Sequence, residues 1–157
     1  MLHDLNSHGE SACRANDAVH RQLEMADAVE LRALIIRHVP SEGIAGYREP
    51  VEAAGYVVDR IDVADPEFSK VDLSKPDLLI MRYWTPFMAP ALGTIARLAK
   101  KNSHTSVIAI ADNIIPHESH AGDAMLTRYF VPAIDGFITL SKSVLNDLRK
   151  FRKSVPA

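Results

Sequence analysis

"TSVIAIADNIIPHESHAGD", residues 105–123, runs from an apolar stretch straight into a dense group of polar and ionisable side chains. Val107 to Ile110 are too few for a helix and read as a buried strand. Asp112, Asn113, His117, Glu118 and His120 then follow in quick succession. Such a segment is a catalytic loop, a metal site or a solvated connection, and the surrounding chain has to decide between them.

Working outward, the same strand signature recurs in "ALIIRH" (33–38), "YVVDRIDV" (56–63), "DLLIMRYW" (77–84) and "GFITLS" (136–141). Helical spacing fills the gaps. "GYREPVEAAG" is a short helix stopped by Gly55. In "PFMAPALGTIARLAKK" (86–101), Met88, Leu92, Ile95 and Ala99 share a face, Pro90 moves the start to about residue 89, and two lysines and Asn102 close the end. "GDAMLTRYFVPAI" is a helix that Pro132 ends or kinks. Ser141 is placed to cap a last helix whose Val144, Leu145, Leu148 and Phe151 form one stripe. "ADPEFSKVDLSKP" (64–76) is a loop.

Buried strands alternating with helices imply a parallel sheet covered on both faces, with right-handed crossovers. The expected fold is a three-layer α/β domain, Rossmann-like or flavodoxin-like, with five parallel strands in the order 2-1-3-4-5. It occupies residues 33–153. Residues 1–32 are expected to be a disordered lead-in followed by a weakly amphipathic helix from Ala12 to Arg32.

Composition narrows the function classes. The chain has 157 residues, 47% hydrophobic and 24% charged, as in ordinary globular domains. A formal net charge of −2 argues against general nucleic-acid binding. The basic group Arg149, Lys150, Arg152 and Lys153 complements the dipole at the end of the last helix. One cysteine, Cys13, allows no internal disulfide and fits a reducing compartment. No apolar run reaches the roughly 18–20 residues of a membrane span. The polar start of the chain lacks a secretion signal's apolar centre, so the expected location is the cytoplasm. No cofactor is expected.

In doubly wound sheets, ligands bind beyond the carboxyl ends of the strands. "HVPSEGIAG", "RYWTPF", "DNIIPHESH" and "SKS" all fall there. Asp112 and Asn113 can hydrogen-bond a hydroxylated ligand or close a local Asx turn. His117 is a candidate general base. His117, Glu118 and His120 offer N and O ligands, but their spacing matches no closed zinc site, and no metal is expected. Arg82 can receive a phosphate or carboxylate, or pair with Asp112 on the neighbouring strand. Trp84 can stack on a sugar or base, or sit at the core edge. "SEGIAG" lacks both G-x-G-x-x-G and a P-loop lysine.

Two stretches carry family resemblances. "RYWTPFMAPALGTIARLAKKN", "VIAIADNIIPHE" and "GFITLSKSVLNDLRKF", within residues 77–151, resemble the amino-terminal domain of bacterial GT-B glycosyltransferases. That resemblance implies sugar transfer from a nucleotide sugar to a hydroxylated acceptor. It makes Arg82, Trp84, Asp112, Asn113 and Glu118 substrate-binding candidates and His117 a catalytic one. It also implies a second, donor-binding C-terminal domain, without which the chain is inactive.

Residues 33–80, "RALIIRHVPSEGIAGYREPVEAAGYVVDRIDVADPEFSKVDLSKPDLLIM" with its leading Arg32, are similar to the opening of class I glutamine amidotransferase domains. The Gly-Gly-Pro turn and G-x-C-x-G elbow of that family are absent, so no glutaminase cysteine can be assigned. The chain thus reads as chimera-like, with a seam near residues 76–82. A non-catalytic Rossmann-like module is the remaining alternative.

Overall fold

The computed structural model describes residues 30–38, 44–118 and 120–152. The expected lead-in and amphipathic helix lie outside the described residues except at their end. There Leu31 and Arg32 belong to the first strand, not to a helix.

Five strands form one parallel sheet in the order β2-β1-β3-β4-β5. They are β1 (Leu31–Arg37), β2 (Tyr56–Asp62), β3 (Leu78–Tyr83), β4 (Ser106–Ala111) and β5 (Gly136–Thr139). Among the described residues, four α-helices connect or follow them: α1 (Arg48–Ala53), α2 (Ala89–Ala99), α3 (Asp123–Phe130) and α4 (Lys142–Phe151). The expected fold class and strand order are therefore those observed.

The local signals act where the residues place them. Ser141 is extended and its hydroxyl accepts the Val144 amide at 3.2 Å, capping α4. Pro132 cannot continue α3, which ends at Phe130 and tightens into a 3-10 turn over Val131–Ala133. Gly55 turns the chain from α1 into β2 with φ of +91°, a conformation that penalises a side chain. The segment expected to be a plain loop holds a 3-10 turn over Pro66–Lys70, capped by Asp65, whose carboxylate accepts the Glu67 amide at 2.8 Å.

Alternation along the strands builds two cores. On one face Leu79, Met81, Tyr83, Val107, Ala109 and Ala111 pack against Leu92 and Ala96 of α2, Phe130 of α3, and Val144 and Leu148 of α4. On the other, Ala33, Ile35, Leu78, Ile80 and Ile110 pack with Ile44 and with Tyr47 and Val51 around α1. Pairing is continuous through the stretch read as a seam. Ala33 to Ile36 of β1 face Leu78 to Met81 of β3, which in turn pairs with β4 over its full length. Phe68 and Leu73, from the connection before β3, pack on the first core. No discontinuity of packing marks residues 76–82.

Helices α2 and α3 approach closely at Gly93. A β-carbon there would lie 2.8 Å from Tyr129 Cε1. That ring is held in place because the Arg97 guanidinium stacks 4.0 Å from its centroid and the Thr94 hydroxyl meets the Tyr129 hydroxyl at 2.9 Å. Replacing Gly93 with Ala is expected to destabilise the domain by about 1–3 kcal/mol through overpacking. Urea unfolding should show a lowered midpoint with an unchanged slope.

Candidate functional site

The carboxyl ends of the strands carry two guanidinium–carboxylate pairs. Arg37 and Asp62 face each other across β1 and β2, with Nε to Oδ1 at 2.6 Å and Nη2 to Oδ2 at 2.9 Å. Arg82 reaches across from β3 to Asp112, the residue just after β4, with Nε to Oδ2 at 2.6 Å and Nη2 to Oδ1 at 3.2 Å. Both are two-point contacts, the geometry that suits a planar guanidinium. The register Ile36↔Met81 brings Arg37 and Arg82 to neighbouring places at the β1/β3 switch point. Two arginines side by side are thus flanked by two aspartates.

Arg82 thus makes the bridge to Asp112 that its place at the end of β3 allows. A charge enters an otherwise buried strand because a carboxylate from the next strand meets it. Asp112 is committed to that contact.

The other expected site residues lie on the same rim. Trp84 is exposed just beyond β3. His117 and Glu118 are exposed in the β4–α3 connection, and Asn113 is half-buried next to Asp112. Among the described residues, no three His, Cys, Asp or Glu side chains gather in a metal-binding group.

Glu118 instead lines a hollow of about 360 Å³ with Thr85, Phe87, Pro116, His120, Asp123 and Leu126. Its walls come from three places: the turn leading into α2, the β4–α3 connection, and the first turn of α3. Gly122, at φ of +104°, swings the chain into α3. The Asp123 carboxylate then accepts the His120 amide at 2.7 Å and lies 3.8 Å from His120 Nδ1. Phe87, Asp123 and Leu126 were not among the residues singled out in the sequence. Phe87 stands apart from the polar cluster along the chain, and its 86% exposure is invisible to hydropathy.

Beneath the rim, Tyr83 is fully buried and stacked on Phe130 with ring centroids 4.3 Å apart. Its hydroxyl shares a hydrogen bond of 3.3 Å with that of Thr127. Burial raises the phenol's pKa above its ordinary value of 10.0, opposed by the Thr127 hydrogen bond and aided by the Asp123 charge.

No protein-family model matches the chain. No curated protein matches it either. Among solved structures, it is similar to a CheY-like response regulator from Mesorhizobium loti, with 14% identity, a TM-score of 0.47, and 78% of this chain and 98% of that one covered. It is also similar to an orphan response regulator of H. pylori, with 17% identity, a TM-score of 0.43, and coverages of 78% and 94%. A third similar chain comes from the structure of the histidine kinase ThkA in complex with the response regulator protein TrrA, with 17% identity, a TM-score of 0.40, and coverages of 78% and 98%. At these values the likenesses carry no activity to this chain.

These findings correct the family expectations. The similar structures are response regulators, not GT-B glycosyltransferase or glutamine amidotransferase domains. The chimera-like reading falls with them, as do the nucleotide sugar, the hydroxylated acceptor and the missing donor-binding domain. The stretches quoted for both families are strand–helix–strand units, and that grammar is common to doubly wound folds of unrelated function.

Two outcomes follow from this geometry. Arg82→Ala leaves the Asp112 carboxylate without its guanidinium and is expected to cost about 1–3 kcal/mol. The double change Arg82→Met with Asp112→Leu should recover much of that loss, as a thermodynamic cycle would measure. Separately, a raised Tyr83 pKa means the unfolded phenol ionises first as pH climbs past 10. The stability that a neutral Tyr83 contributes is intact below that pH and is lost as pH rises through the folded value. Tyr83→Phe should therefore show a shallower loss of stability above pH 10 than the parent.

Proposed function

We propose that residues 33–153 act as a single non-catalytic binding module that docks a protein partner on its carboxyl rim. The observation that carries this reading is the distribution of exposed apolar side chains. Trp84 at 48%, Phe87 at 86%, Met125 at 67% and Leu140 at 58% exposure all follow strand ends on that rim. They come from the segments after β3, β4 and β5. Elsewhere, the exposed Val57, Leu98 and Tyr129 are scattered, and the Tyr129 ring is covered by Arg97.

Single exposed hydrophobics are ordinary, whereas several gathered at one end of a domain mark an interaction surface. Aromatic side chains are the usual anchors of such interfaces. The ionic groups beside them suit the same role. Arg82 and Asp112 already compensate each other, so covering them with a partner does not strand a bare charge. Trp84 and Glu118 belong to the contact surface, and Arg82 and Asp112 brace it from beneath. The single cysteine supports action in a reducing compartment, the cytoplasm. Among the described residues, no helix is long and apolar enough to cross a membrane.

The test uses photo-crosslinking amino acids placed at position 87 on the rim and at position 74 on the opposite end. A partner captured from position 87 and absent from position 74 is then purified and titrated against the parent chain and Trp84→Ser/Phe87→Ser. Weakening by about tenfold or more, with an unchanged circular dichroism spectrum, is expected for loss of two aromatic anchors. Equal capture at both positions, or equal affinity of parent and variant, would overturn the reading.

A further inference from the structure

The hollow beside Phe87 has a chemistry of its own. Phe87, Pro116 and Leu126 supply apolar walls, and Phe87 presents most of its ring to solvent. Glu118 and Asp123 supply carboxylates, and Thr85 a hydroxyl. Asp123 is partly engaged by the His120 amide, whereas Glu118 projects at the exposed edge. No lysine or arginine is among the described lining residues. The nearest imidazole, on His120, lies beside the Asp123 carboxylate.

A hollow lined by carboxylates and one aromatic ring is complementary to a cation on an apolar stem. The carboxylates attract the charge, the ring face attracts it through its quadrupole, and the apolar walls cover the methylenes. An anionic group would meet the two carboxylates there. A purely aliphatic side chain would desolvate both carboxylates without compensation.

We infer that this hollow receives an arginine or lysine side chain from the docked partner, so that the module recognises a basic, apolar-flanked peptide segment. The inference rests on the rim-docking reading and adds the chemistry of what docks. Trp84, Met125 and Leu140 then contact the apolar neighbours of that basic residue, and the hollow sets which residue stands at the centre. Its volume of about 360 Å³ is ample for one long side chain.

The experiment is a selection of random twelve-residue peptides on the intact chain, followed by fluorescence-anisotropy titration of the selected peptides. Enrichment of arginine or lysine among peptides that lose binding to Phe87→Ser is expected. Glu118→Gln should weaken those peptides about three- to tenfold, and the difference should shrink as salt is raised. Glu118→Asp, which keeps the charge, should retain more of the affinity.

Peptides that depend on Phe87 but carry no basic residue, or that bind Glu118→Gln as well as the parent, would overturn the basic-residue assignment while leaving rim docking standing. Basic peptides that bind the parent and Phe87→Ser equally, or an absence of any Phe87-dependent peptide, would overturn rim docking itself.

Discussion

Strand β3 is the member on which the rest of the molecule depends. It pairs on both edges, with β1 and with β4, and five of its six residues are buried. Leu79, Met81 and Tyr83 turn to one core, and Leu78 and Ile80 to the other. A parallel strand in this position has no solvent face, so both of its faces must be apolar and both must be covered. Each such side chain contributes about 1.5–3 kcal/mol when fully buried. Arg82 is the one charge on this strand, and Asp112 accommodates it from the neighbouring chain segment.

That accommodation shapes what the rim can do. Guanidinium–carboxylate pairs at Arg37–Asp62 and Arg82–Asp112 turn four ionic groups into a compensated platform. The apolar side chains around the platform protrude, and the ionisable residues of the β4–α3 connection border a hollow. The rim therefore combines a compensated ionic base with exposed apolar side chains, and the docking proposal rests on that combination.

The correction of the family expectations has a physical origin. Both resemblances rested on strand–helix–strand stretches whose buried aliphatics, helix stops and rim loops are demanded by the fold. Such features recur wherever a parallel sheet is wound with helices, whatever the site at its end. The residues that distinguish one function from another are few. On the docking reading proposed for this rim they sit in the segments after β3 and β4, where Trp84, Phe87 and Glu118 carry no pattern that a strand or a helix would impose.

Strand positions, helix ends and the order of the sheet were legible along the chain because each depends on near neighbours and on handedness. The alternation in β3 and β4, the stop at Pro132 and the cap at Ser141 act within a few residues, and right-handed crossovers turn the string of elements into one sheet. Juxtaposition was decided only by folding. Arg82 meets Asp112 from 30 positions away, and Tyr83 meets Thr127 from 44. Phe87, Glu118 and Leu126 share a hollow for the same reason. Contacts of that range are set by the pairing of β3 with β4 and by the close packing of α2 and α3 on the sheet, which no local period encodes.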